Sequence, residues 1–262
     1  MKKHLVIDNP TVSNIIFYPQ KSPIPSQLDP NTEILNFKVE KKVSLGGFFF
    51  LNNINFPTIF LFHGNGELAI DYRSIAPVFF ESKVNLAVID YRGYGFSSGQ
   101  PYFTSLINDA PIIYQQFIDW ADKRGLSKSI FILGRSLGSV CAAEIGSQNP
   151  ECLRGIIFES GFANLYNVMT HLFRISSSEV TPTSMSEYSN DTRIRQIKKP
   201  VLIIHGTTDF IIPSGESELI YKNLSIEIDK SLVLIDGAGH NDILMYHDKY
   251  FDPLSEFIEK FK

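Results

Sequence analysis

The sequence predicts an α/β fold with a mostly parallel sheet, and three observations carry that expectation. Eight short β-like runs alternate with helix-like stretches, the order expected when helices cover both faces of one sheet. From the third run onward most are apolar on both faces, as buried parallel strands are. Apolar residues make up 44% of the 262 residues and charged residues 20%, which allows a sizeable core and argues against wholesale disorder.

The strand candidates are residues 34–39, 43–51, 58–62, 86–90, 129–133, 155–158, 201–205 and 232–235. Only Glu40-Lys41-Lys42 separates the first two, too short for a parallel crossover, so they should pair antiparallel. Helical stretches are expected near 68–80, 105–120, 137–147, 162–173, 216–223 and 241–261. In the second of these, Leu106, Ala110, Ile113, Tyr114 and Phe117 form a stripe at helical spacing and read as core. Residues 176–191, SSSEVTPTSMSEYSND, are polar and rich in Ser and Thr, and read as a long loop. There is no internal repeat and no charge block. One domain over 1–262 is expected, with an N-terminal extension (1–33) and a short cap-like insert (161–199).

Charge excludes some partners. With 24 Lys+Arg against 28 Asp+Glu the formal net charge is −4, which gives no footprint for nucleic acid or an anionic membrane. Two cysteines, Cys141 and Cys152, are too few for a disulfide framework and have no metal-ligand spacing. They read as free thiols in a reducing, cytoplasmic setting. The apolar run Leu5-Val6-Ile7 is too short for a signal peptide, and no stretch is long enough to span a membrane.

Two stretches match G-x-S-x-G: Gly95-Phe96-Ser97-Ser98-Gly99 and Gly134-Arg135-Ser136-Leu137-Gly138. A nucleophile elbow needs a strand running into the turn and a helix leaving it. Ser136 has the strand Ile130-Phe131-Ile132-Leu133 before it and the helix former LGSVCAAEI after it. Ser97 follows the glycine-rich YRGYG and is soon met by Gln100-Pro101, which reads as loop. Ser136 is therefore the candidate nucleophile.

A serine attacks only if a base takes its proton, and an acid must orient that base. In one known chain order the serine comes first, then an acid, then a histidine, each after a strand. Gly206-Thr207-Thr208-Asp209 follows the strand VLIIH, and Gly237-Ala238-Gly239-His240 follows LVLID. Both loops lie at carboxyl ends of strands, where open α/β sheets place their sites. His240 is the candidate base and Asp209 the candidate acid, with Glu159 at the end of the preceding strand as the alternative acid. The oxyanion donors expected are the backbone N–H of Leu137, just after the nucleophile, and that of Asn65, with Gly66 close behind.

FHGNGE (62–67), DYRGYGFSSG (90–99), GRSLGS (134–139), PVLIIHGTTD (200–209) and GAGHND (237–242) resemble the α/β-hydrolase superfamily over roughly residues 35–260. They are most similar to its compact, nearly lidless serine hydrolases, which include esterases and acyl-protein thioesterase-like enzymes. The resemblance implies an eight-stranded, mostly parallel sheet, no cofactor and no metal. It implies hydrolysis of an ester or thioester of a small-molecule or lipid-like acyl substrate, or of an acylated protein, through an acyl-enzyme. Amide or peptide hydrolysis on the same three residues is the alternative. Some depalmitoylating relatives carry an N-terminal cysteine cluster, and this chain has no cysteine before Cys141.

Two other classes compete. Gly64-Asn65-Gly66-Glu67-Leu68-Ala69 fits the G-x-G-x-x-A turn of a dinucleotide-binding oxidoreductase, with Asp90 where a ribose-binding acid would stand. Against it, Glu67 would repel a pyrophosphate, and Ser136, Asp209 and His240 would be left without a role. A binding scaffold with a silent site has no substituted position in its favour. Asp90 and Arg92 read as a structural pair or turn former. In the insert, Phe162, Leu165, Tyr166, Met169, Leu172 and Phe173 form an apolar stripe at helical spacing. Packing on the sheet explains most of it, while Tyr166 and Met169 are expected to wall an acyl pocket beside Ser136.

Overall fold

Alternation of apolar side chains along each central strand feeds two cores, one on either face of a single sheet. The computed structural model describes residues 6–175 and 177–262. Residues 1–5 of the expected extension and Ser176 of the expected loop lie outside the described residues. In chain order the elements are α1 (Pro10–Ile16), β1 (Thr32–Glu40), β2 (Val43–Phe50), β3 (Thr58–Phe62), α2 (Ala76–Phe80), β4 (Asn85–Ile89), α3 (Phe103–Asp122) and β5 (Ile130–Arg135). Then come α4 (Ser139–Gln148), β6 (Leu153–Glu159), α5 (Leu165–Asn167), α6 (Pro182–Ser186), α7 (Asn190–Ile194), β7 (Val201–Gly206), α8 (Gly215–Asn223), β8 (Lys230–Ile235) and α9 (His247–Phe261).

The eight strands lie in the order β1-β2-β4-β3-β5-β6-β7-β8. The first two pair antiparallel, as the three-residue connection requires, β2 pairs antiparallel with β4, and every later pairing is parallel. Phe60 and Phe62 of β3, and Ile130 and Ile132 of β5, enter one core with the buried faces of α3 and α4. Their neighbours Ile59 and Leu61, and Phe131 and Leu133, enter the other, under α2 and α9. This two-residue period splits the burial of each strand between two layers of helices. Because β3 lies between β4 and β5, the chain crosses over it and α2 and α3 fall on opposite faces. Such a reversal opens a crevice at the carboxyl ends of the strands.

Helices depart from expectation where a local hydrogen bond competes. The stretch expected over 68–80 is two pieces, a 3₁₀ turn at Ala69–Arg73 and then α2. Pro77 cannot donate to the carbonyl of Arg73, which removes one helical hydrogen bond at the join. The stretch over 162–173 holds one α-turn, α5, and then a π-turn at Val168–Leu172, in which Phe173 N–H bonds Val168 O at 3.1 Å. Here the Thr170 hydroxyl donates to Tyr166 O at 2.8 Å and occupies that carbonyl. The expected loop over 176–191 is also corrected: it contains α6 and the start of α7. Thr181 caps α6 by accepting from Ser184 N–H at 3.1 Å, with Pro182 at the first helical position, a start signal readable in T-P-x-S.

Candidate active site

Ser136 stands between β5 and α4 with φ of +51°, a left-handed conformation that non-glycine residues adopt only under tight local constraint. The constraint comes from the end of β3. A Cβ on Gly138 would stand 2.0 Å from the carbonyl oxygen of Phe62, so only glycine lets the turn press against that strand. The half-buried Ser136 is thereby lifted into a cleft of about 310 Å³ that it shares with His240, Asn65 and Leu137. Ser97, the rival serine, is 1% exposed and spent on structure: its hydroxyl accepts from Gly46 N–H at 2.8 Å and donates to Asp90 O at 3.1 Å.

Asp209 follows β7 and His240 follows β8, and their loops are stitched together where Thr208 N–H bonds Ala238 O at 2.9 Å. Asp209 Oδ2 lies 2.6 Å from His240 Nδ1. That carboxylate holds the proton on Nδ1 and leaves Nε2 with its lone pair as the basic nitrogen. Oδ1 of Asp209 accepts from the N–H groups of Ile211 and Ile212 at 2.9 and 2.8 Å, and His205 Nε2 stands 3.1 Å from Oδ2. Burial alone would raise the Asp209 pKa, but His205, His240 and the Ile212 N–H outweigh it and hold the group well below the usual carboxylate range. His205, near the end of β7, supports the acid: its Nδ1 meets Ser217 Oγ and its Nε2 also meets Ile212 O at 2.8 Å.

Glu159, the alternative acid, does not reach the His240 ring. It meets Arg135 at 3.3 Å and accepts from the Tyr250 hydroxyl at 2.6 Å. Burial raises its pKa, and Arg135 and Tyr250 only partly offset this. Glu67 accepts from Gly64 N–H and the Tyr72 hydroxyl, both at 2.9 Å, and pairs with Arg135 Nε at 2.6 Å. Burial is the largest influence on Glu67 and would raise its pKa, but Arg135, His63, the Gly64 N–H and the Tyr72 hydroxyl together outweigh it and lower the pKa. The Glu67 carboxylate thus lies folded back onto the glycine turn where a pyrophosphate would have to sit.

The Asn65 side chain makes three hydrogen bonds. Its Oδ1 accepts from Tyr18 N–H at 3.1 Å and the Tyr94 hydroxyl at 2.7 Å, and its Nδ2 donates to Ile16 O at 2.5 Å. The backbone N–H of Asn65 has no acceptor among the described residues, and Asn65 lines the same cleft as Leu137. Tyr18, at the end of the N-terminal segment, also lines the cleft, as do Phe103, Ile211 and Ile212. The sequence reading missed all four, because periodicity says nothing of where loop residues and the first residue of a helix point.

Tyr166 and Met169 are not on the cleft wall, which corrects the expectation for them. Met169 is fully buried in the core and Tyr166 packs against that core. The wall is made by Phe162, Leu165, Val168, Leu172 and Phe173. Leu165, Val168 and Leu172 take the wall at i, i+3 and i+7, and Met169, one residue on from Val168, falls on the inward side. Asp90 and Arg92 do not pair with each other. Asp90 accepts from Ala69 N–H at 2.8 Å and lies 3.3 Å from His63 Nε2, while Arg92 makes a two-pronged pair with Asp109 at 2.6 and 2.7 Å. Among the described residues no group of three or more His, Cys, Asp or Glu side chains is placed to hold a metal ion, and no helix is long and apolar enough to cross a membrane.

Comparison with known proteins agrees with this geometry at the level of fold and family. Protein bem46 of Schizosaccharomyces pombe is 27% identical over 92% of this chain and 82% of its own length. The human alpha/beta hydrolase domain-containing protein 17B is 26% identical over 78% of this chain, and the match spans 66% of that relative. The Pyrococcus furiosus esterase Pf2001 superposes with a TM-score of 0.72 over 93% of this chain and 98% of its own, at 19% identity. A family model described as serine aminopeptidase, S33 matches residues 55–187, and the chain belongs to that family and is an enzyme of the α/β-hydrolase superfamily.

Proposed function

We propose that this enzyme is a serine hydrolase that cleaves an ester or thioester of an acyl substrate. Ser136 attacks the carbonyl carbon while His240 Nε2 takes the hydroxyl proton. Asp209 holds the ring and its tautomer, and stabilises the imidazolium that forms. The N–H groups of Asn65 and Leu137 receive the oxyanion. His240 then returns its proton to the leaving group. Water, deprotonated by the same ring, hydrolyses the acyl-enzyme and frees the serine. The observation that carries this reading is the Asp209–His240 contact of 2.6 Å in the cleft that also exposes a positive-φ serine.

The substrate class follows from the wall. Phe103, Phe162, Leu165, Val168, Leu172 and Phe173 give the cleft an apolar side suited to an acyl chain. Of the alternative amide or peptide hydrolysis, the form that removes a free amino-terminal residue asks for a carboxylate to meet the substrate ammonium. Glu67 is the one carboxylate among the described lining residues, and Gly64, Tyr72 and Arg135 already hold it. The test is a matched pair of chromogenic substrates, p-nitrophenyl acyl esters against aminoacyl p-nitroanilides. Ester turnover is expected, with kcat falling by about 10⁴-fold or more in Ser136→Ala. Faster turnover of the aminoacyl anilides would move the enzyme to the aminopeptidase reading.

A further inference from the structure

Arg135 ends β5 one residue before Ser136, and its guanidinium reaches three other segments around the cleft. Nε donates to Glu67 Oε1 at 2.6 Å, on the loop after β3. Nη1 donates to the His240 carbonyl oxygen at 2.9 Å and to Glu159 Oε1 at 3.3 Å. Nη2 donates to Asn241 Oδ1 at 2.9 Å. Glu67 in turn accepts from Gly64 N–H, so one run of hydrogen bonds links the loop that carries Asn65 to the loop that carries His240.

Packing alone would not hold these loops. Glu67, Arg135 and Asn241 line the cleft on one side and a second cavity of about 230 Å³ on the other, so they form a thin partition with space on both faces. A rigid, planar fork of five N–H donors can fix such a partition, because each bond has a set direction. A lysine in its place would supply the charge but not the directions. We infer that Arg135 is a positioning residue for the proposed hydrolysis: it holds the His240 loop and the Gly64–Glu67 loop at fixed distances from Ser136. The inference rests on the reading of Ser136, His240 and Asp209 as the reacting set. Displacing a reacting group by about 1 Å costs on the order of 100-fold in rate, so the role should register in kcat more than in KM.

The experiment compares Arg135→Lys and Arg135→Ala with the parent on p-nitrophenyl butyrate, alongside fluorophosphonate labelling and thermal melting. In Arg135→Lys, kcat should fall by about 100-fold while KM moves by less than about threefold. In Arg135→Ala, millimolar guanidinium chloride should restore activity by about tenfold, and sodium chloride or urea at the same concentration should not. Arg135→Lys with kcat within about threefold of the parent would overturn the role and leave Arg135 as charge balance for Glu67 and Glu159. A folded Arg135→Ala enzyme that ignores guanidinium would overturn it too. If Arg135→Ala does not fold, the lysine variant decides alone. Parent enzyme that takes no label on Ser136 marks the reading of the site as the error, and the inference falls with it.

Discussion

Asp209 accepts two backbone N–H groups on one oxygen and faces two imidazoles with the other, so its ionised form is satisfied on every side. Its folded-state pKa therefore lies below the ordinary value of 3.8. A depressed carboxylate stabilises the fold fully above its unfolded pKa, and that contribution is lost as pH falls through the folded value. Asp209→Asn should then be less stable than the parent at neutral pH, and the gap should narrow once pH drops below 3.8. Melting curves from pH 7 downward check this; a gap that stays constant through the acid range would contradict it. The same substitution should cut kcat by about 10³–10⁴-fold, because the wrong tautomer of His240 becomes favoured. At this scale much of the candidate site was legible. Strand-turn-helix context separated Ser136 from Ser97, and chain order singled out Asp209 and His240. What stayed hidden was the support: His205 and Arg135 act through directions that a sequence does not display.

The elements that shape the cleft are held by single polar residues. Glu216, at the start of α8, accepts from Ala163 N–H, Asn164 N–H and Asn167 Nδ2, each at 2.9 Å, and anchors the turn that begins the apolar wall. Asn65 fastens the N-terminal segment to the oxyanion loop in the same way. Asn65→Ala keeps the backbone N–H yet removes three hydrogen bonds, and should lower kcat by about tenfold with a stability loss of about 1–3 kcal/mol. Unchanged kcat in that variant would separate the segment from the chemistry. The wall yields a paired prediction. Val168→Trp should shorten the preferred acyl chain, at about 0.8 kcal/mol or fourfold in kcat/KM per methylene excluded. Met169→Ala should leave chain preference alone and cost about 2–5 kcal/mol of stability as a core cavity. The reverse pattern would restore Met169 to the wall. The central strands β3–β7 were legible because burial on both faces imposes apolar runs. The π-turn was not, since Thr170 redirects one carbonyl without disturbing the helical spacing of the sequence.

Across the whole molecule, the sheet gathers residues far apart in the chain at one edge. Asn65, Ser136, Asp209 and His240 follow β3, β5, β7 and β8, and parallel pairing turns the carboxyl ends of these strands the same way. The antiparallel β1–β2 pair adds width on the far side of β4 and contributes no residue to the cleft lining. Two cores, one on each face, fix the sheet against which the elbow is pressed, so the strain at Ser136 is carried by the fold rather than by the turn alone. The central claim is that this arrangement makes Ser136 the nucleophile. Its most direct measurement is reaction of the folded enzyme with a fluorophosphonate, followed by mass spectrometry to locate the adduct. The account predicts one adduct per chain on Ser136, lost in Ser136→Ala, slowed by about 10³-fold or more in His240→Gln, and retained in a folded Ser97→Ala. An adduct on Ser97, or undiminished labelling in Ser136→Ala, would contradict it.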